Sequence, residues 1–365
     1  MLRTSVLMLA TVLITLSSPA QSCGDLPTTI TSALRTTKDP EFVLRAAAVL
    51  QRTAIPDLKV IAKPRMPLVT VPGTAEVALA KLGEAGALAS LKDELAAKDN
   101  QQAIEKLSRV GTAKAAAILL DYIAQNEPRA KSLVRDFGDY SYSPVDQAIQ
   151  AVSRMMTTIP VKHYWEASEW AAWWRTQPSL QMAGPIDDGV AAPSARCYLR
   201  MADWGFPEAV LDAYSAGGGD TLPAMRTFSA RGEKSLSYGE FGTVKGNAQA
   251  VLAKAGDRQQ FALIAQELST TAYQDAIKKL VYVANGRAVG ALVMSLDEIE
   301  SSALRSRFQE EDFRSYVRDF RSAVLSALRK VVNERGAPTC VVPDSTCVEE
   351  WKRWWSSRKS ASEDN

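Results

Sequence analysis

The sequence has 365 residues, of which 43 are basic and 41 are acidic, and its formal net charge is +2. Charges of both signs are mixed along the chain and no dense basic block is present, so the electrostatic footprint of a nucleic-acid-binding protein is missing. The length exceeds that of one comfortable hydrophobic core and predicts two units or an elongated array.

The first segment, residues 1–20, has the features of a secretory signal peptide. Arg3 supplies a positive charge, residues 6–16 form an apolar run broken only by threonine, and residues 18–20 are small, as signal peptidase requires. The apolar run is shorter than the ~20 residues that span a bilayer. We therefore expect a periplasmic or secreted protein whose mature chain has no transmembrane segment. An alternative is a lipid anchor on Cys23, although the residues before it lack the usual apolar side chain.

The cysteines favour disulfide bonds, because an even number in an exported chain is typical of them. They are Cys23, Cys197, Cys340 and Cys347. The last two flank a predicted turn at Pro343 and Asp344, so we predict a bond between them. Cys23 and Cys197 would then form the other pair, although spacing alone leaves the two alternative connectivities open. No CxxC motif occurs and His163 is the only histidine, so we expect no metal site and no cofactor.

The segment 21–72 is predicted to contain N-terminal helices and a linker. Residues 28–36 form the first helix, and a second runs over residues 41–52 after Asp39 and Pro40, which are a preferred N-cap and first-turn residue. Residues 60–72 contain three prolines and several β-branched side chains. We expect a linker or an extended crossing strand there.

The first repeat unit is predicted at residues 73–177, and its pattern is clearest between residues 73 and 121. Aligning Gly83 with Gly111 superimposes alanine and leucine at steps of three and four, which gives two helical hairpins about 28 residues apart. Glycine ends each first helix because it enters the left-handed conformation at little cost. One such hairpin cannot bury its apolar stripe alone, so neighbouring hairpins must stack on it.

The second repeat unit, residues 246–365 with a C-terminal tail, repeats the first at an offset of 173. Residues 73–110 and 246–283 align without gaps and are identical at fifteen of thirty-eight positions. Between the units, residues 178–245 contain prolines and a run of three glycines, so we predict an irregular joining segment with one helix at residues 207–215.

Tryptophan clusters close both units. The motif W-x2-WW occurs as Trp170, Trp173 and Trp174, and again as Trp351, Trp354 and Trp355. Spacings of three and four place three indoles on one helix face. They either cap the open end of each helical stack or provide an aromatic binding platform. Their repetition at the end of both units favours capping.

The repeat pattern at residues 75–91 and 103–119 resembles bacterial HEAT repeats of the short, phycobilisome-lyase-like kind, and the W-x2-WW helix resembles the tail of some such proteins. The resemblance covers residues 73–175 and 246–356. It implies an all-α fold, an α-solenoid of HEAT-like hairpins in two related units. The wide spacers and the first residues of the mature chain depart from it.

No catalytic arrangement is found in the sequence. His163 has no evident nucleophile or orienting partner, so we interpret it as a surface residue beside tryptophans. Ser356 and Lys359 match the S-x-x-K spacing but lie in a polar tail, and Gly217–Gly219 lacks phosphate-loop spacing. The acidic run 310–312 with two following arginines is typical of helix-surface pairing.

The expected function is therefore non-enzymatic: an exported scaffold or adaptor that binds a protein partner across a helical-repeat surface. This expectation rests partly on analogy between folds. One alternative is a periplasmic immunity or inhibitor protein that neutralises a toxin. Another is an enzyme or enzyme accessory, for which converging polar side chains in one pocket would be the sign.

Overall fold

The computed structural model describes residues 27–97, 100–130, 143–156, 159–163, 165–176, 180, 191, 193–231, 243–301, 303–334 and 336–363. Within these ranges every regular element is a helix and no strand occurs, which confirms the prediction of an all-α chain. The chain divides into two compact units, Met1–Lys234 and Ser235–Asn365, called unit 1 and unit 2 below. The predicted signal peptide and Cys23 lie outside the described residues.

The α-helices of unit 1 are numbered in chain order. They are α1 (Pro27–Thr36), α2 (Pro40–Leu50), α3 (Ile55–Ile61), α4 (Val71–Lys81), α5 (Ala85–Leu95), α6 (Gln101–Val110), α7 (Ala113–Ala130), α8 (Pro144–Met155), α9 (Ala167–Thr176), α10 (Pro193–Asp203), α11 (Glu208–Gly217) and α12 (Leu222–Ala230). Short 3-10 turns at Gln51–Ala54 and Gly218–Thr221 connect some of them.

The numbering continues through unit 2. Its α-helices are α13 (Val244–Lys254), α14 (Arg258–Glu267), α15 (Tyr273–Val283), α16 (Gly286–Glu298), α17 (Glu310–Val331) and α18 (Ser345–Glu363). Two 3-10 segments, Ile299–Ser301 and Ala303–Arg307, lie between α16 and α17.

Side-chain caps fix the starts of several helices. The Asp39 carboxylate accepts a hydrogen bond from the backbone N–H of Glu41 at the start of α2, as predicted. Thr70 and Thr243 each accept from a glycine N–H in the first turn of α4 and α13. Ser143 forms a reciprocal capping box with Asp146 at α8. These caps satisfy donors that have no partner within a helix.

The helices of each unit stack in order. In unit 1, α10 packs against α2, α2 against α4, α4 against α6, and α6 against α8, while α5, α7 and α9 pack beside this row. In unit 2, α13 packs against α15 and α15 against α17, with α16 and α18 beside them. Each hairpin thus buries its apolar stripe against the next, as stacked helical pairs do.

Unit 2 repeats the arrangement of six helices of unit 1. The bounds of α4, shifted by 173, coincide with those of α13, and most of the pairings among α4 to α9 recur among α13 to α18. Gly83 and Gly256, which end the first helix of each hairpin pair, have φ angles of 91° and 100°. Both are in the left-handed region, which explains the choice of glycine.

The central helices of the repeats are almost completely buried. In α4 every residue from Gly73 to Ala80 is buried, and in α13 the same holds from Gly246 to Ala253. A methyl group on Gly73 would lie 2.1 Å from the carbonyl oxygen of Pro67, so only glycine fits there. By contrast α14 buries only Ile264 and leaves most of its surface exposed.

A buried ionic cluster ties three helices of unit 1 together. The Lys106 ammonium on α6 lies 3.0 Å from a Glu76 oxygen on α4 and 2.7 Å from a Glu94 oxygen on α5, and the three side chains are at most 8 % exposed. The Ser90 hydroxyl also donates to Glu76 at 2.7 Å. Charges this far from water are tolerated only when they are paired and hydrogen-bonded.

The corresponding cluster of unit 2 is smaller and more exposed. Lys279 lies 2.7 Å from Glu267, which is 31 % exposed, and Gln249 stands at the position that corresponds to Glu76. The cluster therefore has one carboxylate in place of two.

Two sequence predictions differ from the structure. The prediction of an irregular segment at 178–245 with a single helix is wrong for its described part: α11 matches the helix predicted at residues 207–215, but α10 and α12 lie there as well. The reason is that Pro193 and Pro223 lie in the first turn of α10 and α12, where proline favours a helix. Of the two alternatives for residues 60–72, the strand is wrong and the linker is found: α3 extends to Ile61, turns follow, and α4 begins at Val71.

Candidate functional site

The first tryptophan cluster packs inside unit 1. Trp170 is fully buried and lies edge-on to Trp173, with ring centroids 6.0 Å apart. The Trp174 indole N–H donates to the Asp121 carboxylate on α7 at 2.8 Å. Because α9 packs along α7 and also contacts α8, these indoles cover one side of the α7–α8 hairpin.

The second cluster packs in the same way in unit 2. Trp351 is fully buried in the core and lies edge-on to Trp354, with centroids 5.6 Å apart. Trp355 lies directly over Gly290 on α16, where an added methyl group would be 2.8 Å from the indole ring. Two of the six predicted capping-or-binding tryptophans are thus fully buried, and the other four are only partly exposed.

The predicted cysteine bond is present. Cys340 and Cys347 form a disulfide with Cα atoms 5.8 Å apart, and it closes the loop that precedes α18. Cys197 on α10 is buried and disulfide-bonded. Its predicted partner, Cys23, lies outside the described residues.

His163 is held by Glu169, and no nucleophile is recorded beside it in the described part of unit 1. The His163 backbone N–H donates to one Glu169 oxygen at 2.9 Å, and its Nδ1 lies 2.6 Å from the other. The backbone bond, followed by the ring bond, lowers the pKa of Glu169. The 54 % exposed Trp165 lies 5.5 Å from the imidazole. This geometry describes a turn ahead of α9.

The other sequence candidates have structural roles. The Ser356 hydroxyl donates to the Lys352 carbonyl within α18, and Gly217 and Gly218 end α11, the latter with a φ of 51°. In the acidic run, Glu310 pairs with Arg314 at 3.2 Å, one helical turn away, as predicted. The second arginine, Arg318, instead lies 3.9 Å from Asp319.

A cleft of about 370 Å³ in unit 2 collects more charged side chains than any candidate found in the sequence. It lies between α17, the 3-10 segments before it and the disulfide loop. Its lining residues are Glu300, Arg305, Glu310, Phe313, Arg314, Val317, Arg318, Arg321 and Pro343. We call it the arginine cleft.

The guanidinium groups of the arginine cleft differ in how firmly they are held. Arg321 is 17 % exposed, donates twice to the Leu296 carbonyl at 3.1 Å and lies 2.9 Å from Glu300. Arg314 and Arg318 are 75 % and 69 % exposed. Arg305 is 60 % exposed and lies 3.5 Å from Glu310. The exposed groups keep donors free for an incoming acceptor, because a guanidinium has five N–H bonds.

An aromatic cluster packs beside the arginine cleft and shares Phe313 with its lining. Phe313 packs with Phe308 and Tyr316, and the Tyr316 ring lies edge-on to Tyr273, 5.3 Å between centroids. The Tyr316 hydroxyl donates to the Thr270 carbonyl at 3.0 Å. Burial, with a smaller contribution from Tyr273, raises the pKa of Tyr316 to about 12.

One feature of the sequence indicates this cleft, although the interpretation of residues 310–312 as helix-surface pairing did not use it. Arg314, Arg318 and Arg321 are spaced by four and three residues and therefore share a face of α17. Arg305 and Pro343 come from separate segments, and their proximity to that face depends on how the chain folds.

In the described ranges, no group of three or more histidine, cysteine, aspartate or glutamate side chains is placed to hold a metal ion. No helix in the described residues has the length and apolar character needed to cross a membrane. No protein-family model, curated protein or solved structure matches the chain.

Proposed function

We propose that this chain is a non-enzymatic, exported scaffold of HEAT-like helical repeats that binds a protein partner. The observation that carries the proposal is the ordered stacking of hairpins, repeated with most of the same pairings in both units. Stacked hairpins give extended surfaces whose side chains can vary without loss of the core. The Cys340–Cys347 disulfide supports an oxidising compartment such as the periplasm or the cell exterior.

The structure also suggests which helices of the hairpins would face a partner. The first helices α4 and α13 are buried along most of their length, whereas the second helices α5 and α14 bury few side chains. Since a binding surface must be accessible, the second helices are the better candidates. Truncation of exposed side chains there should weaken binding while stability stays within about 0.5 kcal/mol.

Affinity capture of the tagged protein from the envelope fraction, followed by mass spectrometry, tests the proposal. We expect at least one protein to be enriched over a control in which exposed residues of α5 and α14 are replaced by serine or lysine. If nothing is enriched while the protein turns over an envelope substrate, the scaffold proposal fails. Enrichment of a toxin that the protein inactivates would favour the immunity alternative.

A further inference from the structure

We propose that the arginine cleft binds a short acidic segment of a partner protein, through carboxylates that pair with Arg314 and Arg318. This inference rests on the proposed function and names the chemistry of one contact within it. It is carried by the composition of the cleft, by the exposure of its arginines and by its size.

Charge complementarity selects the ligand class. Four arginines against two glutamates leave the lining with two positive charges. The two most exposed guanidiniums, on Arg314 and Arg318, are one helical turn apart on α17. An arginine fork matches the two oxygens of a carboxylate in a bidentate hydrogen bond. Two carboxylates a few ångströms apart on one segment therefore fit this pair.

The glutamates within the cleft argue against a polyanion. Glu300 and Glu310 hold Arg321, Arg305 and Arg314 in place and would repel a phosphate, which carries up to two negative charges. The chain as a whole has a net charge of only +2, so it has no strong field to attract a nucleic acid. Singly charged carboxylates displace the pairing of Glu310 at less electrostatic cost.

Size and lining restrict the ligand to a few side chains. The volume of about 370 Å³ is near the lower end of the ~300–1,000 Å³ that small-ligand sites span. The apolar part of the lining consists of Phe313, Val317 and Pro343, and Val341 and Val342, which precede Pro343, are 38 % and 59 % exposed. One apolar side chain flanked by acidic ones therefore suits the site.

The test uses the full chain and a fluorescein-labelled peptide, acetyl-Glu-Glu-Leu-Glu-Glu-amide, with its all-glutamine analogue as reference. Fluorescence anisotropy at low salt should show binding of the acidic peptide and at least about tenfold weaker binding of the analogue. Raising the salt concentration should weaken binding, because the pairs are exposed to solvent. Equal affinity for the two peptides would overturn the proposal.

Charge-neutralising variants locate the contact. Arg314→Gln with Arg318→Gln should weaken binding of the acidic peptide roughly tenfold, since two solvent-exposed ion pairs with the peptide are lost. Arg329→Gln with Lys330→Gln is the matched control: it removes the same charge from exposed positions at the other end of α17. An equal loss in both variants would show a general charge effect and would contradict the assignment.

A second variant has the opposite predicted sign, so misfolding cannot imitate it. Glu300→Gln with Glu310→Gln removes the carboxylates that compete for the arginines, and affinity for the acidic peptide should rise about threefold. Unchanged or weaker binding would count against the cleft. A lipid surface is the competing ligand, and vesicles that contain phosphatidylglycerol test it. If the Arg314→Gln, Arg318→Gln variant loses binding to these vesicles but still binds the peptide, the cleft binds lipid and the proposal is overturned.

The envelope capture separates this inference from the scaffold proposal. If the same partner is enriched with wild type and with the Arg314→Gln, Arg318→Gln variant, the scaffold stands and the acidic-segment assignment fails. If the arginine variant loses that partner and the control variant keeps it, both are supported.

Discussion

The side chain with the largest predicted energetic effect is Lys106, because its ammonium is buried between two carboxylates. Replacing it by methionine would leave Glu76 and Glu94 without a counterion. We expect Lys106→Met to lower the free energy of unfolding by about 3–5 kcal/mol, the range found when one partner of a buried ion pair is removed. Urea denaturation followed by circular dichroism measures this change.

Two matched variants test the cause of that loss. Lys279→Met in unit 2 should cost less, because its partner Glu267 is 31 % exposed and can be solvated by water. Glu76→Gln, which copies Gln249 of unit 2, keeps the Lys106–Glu94 pair and should also cost less than Lys106→Met. Similar losses in all three variants would mean that shape, and not charge, determines the effect.

Tyr316 gives a pH-dependent prediction. Its pKa is raised to about 12 from an ordinary value near 10, so between these values the folded protein keeps a proton that the unfolded chain loses. Its stabilising contribution is complete below about pH 10 and is lost as the pH rises towards about 12. The wild type minus Tyr316→Phe difference in tyrosinate absorbance should therefore titrate near 12. A midpoint near 10 would contradict the burial.

The contacts of individual side chains were predicted from sequence where the two partners are close along the chain. The Asp39 cap, the Cys340–Cys347 bond and the Glu310–Arg314 pair all join residues that are close along the chain. The Lys106 cluster was not predicted, because it joins three helices through residues 12 and 30 positions apart. From sequence alone, a lysine in an amphipathic helix is predicted to be exposed, and only the packing of the helices shows that Lys106 is buried.

At the scale of the helix, the two units differ in the residue that ends α6 and α15. Gly111 ends α6 with a φ of 64°, and its counterpart Ala284 ends α15 with a φ of 50°. Alanine in this left-handed conformation is strained by ~1–2 kcal/mol relative to glycine. We expect Ala284→Gly to raise the free energy of unfolding by about 1 kcal/mol. Chemical denaturation provides the measurement.

The reciprocal substitution is the control. Gly111→Ala should lower stability by a similar amount, because a methyl group there has no contact closer than 3.7 Å and the cost is confined to the backbone. If both substitutions destabilise, the two helix ends are not equivalent and the strain lies elsewhere.

Whole helices were predicted well where glycine and apolar spacing agree. The offset of 173 located α13 with the same bounds, relative to the offset, as α4. The segment around α10 to α12 was misread because its prolines and glycines were taken as breakers. Pro193 and Pro223 in fact lie in the first turn of helices, and Gly218 ends α11 with a positive φ angle. Which role a proline has depends on whether the residues that follow it form a helix.

At the scale of the molecule, the disulfide of unit 2 should act on that unit alone. On the chain-entropy estimate, loss of a loop this short costs roughly 2.5 kcal/mol. We expect Cys340→Ser with Cys347→Ser to reduce amide protection in α15 to α18 and to leave α2 to α8 unchanged. Hydrogen exchange read by mass spectrometry resolves the two units. Equal loss of protection in both would contradict the division into two compact units.

The repeat of α4 as α13 was accessible from sequence, but the arginine cleft was only partly so. Its arginines on α17 share a face that helical spacing gives directly. The cleft also needs Arg305 from a 3-10 segment and Pro343 from the disulfide loop. Their approach follows from the packing of α16, α17 and α18, which no local pattern encodes. Long-range assembly therefore limits the prediction of this site more than residue chemistry does.

The matching helix bounds of α4 and α13 have a practical consequence: the two segments can be compared position by position, as a wild-type protein is compared with its variants. Residues 73–110 and 246–283 differ at twenty-three of thirty-eight positions, since fifteen are identical. Each difference, such as Glu76 against Gln249, is a substitution that a helix with the same bounds already accepts, and the next aligned position adds Gly111 against Ala284. Exchanging these segments as cassettes would show which differences each unit needs for its stability and which have no effect on it.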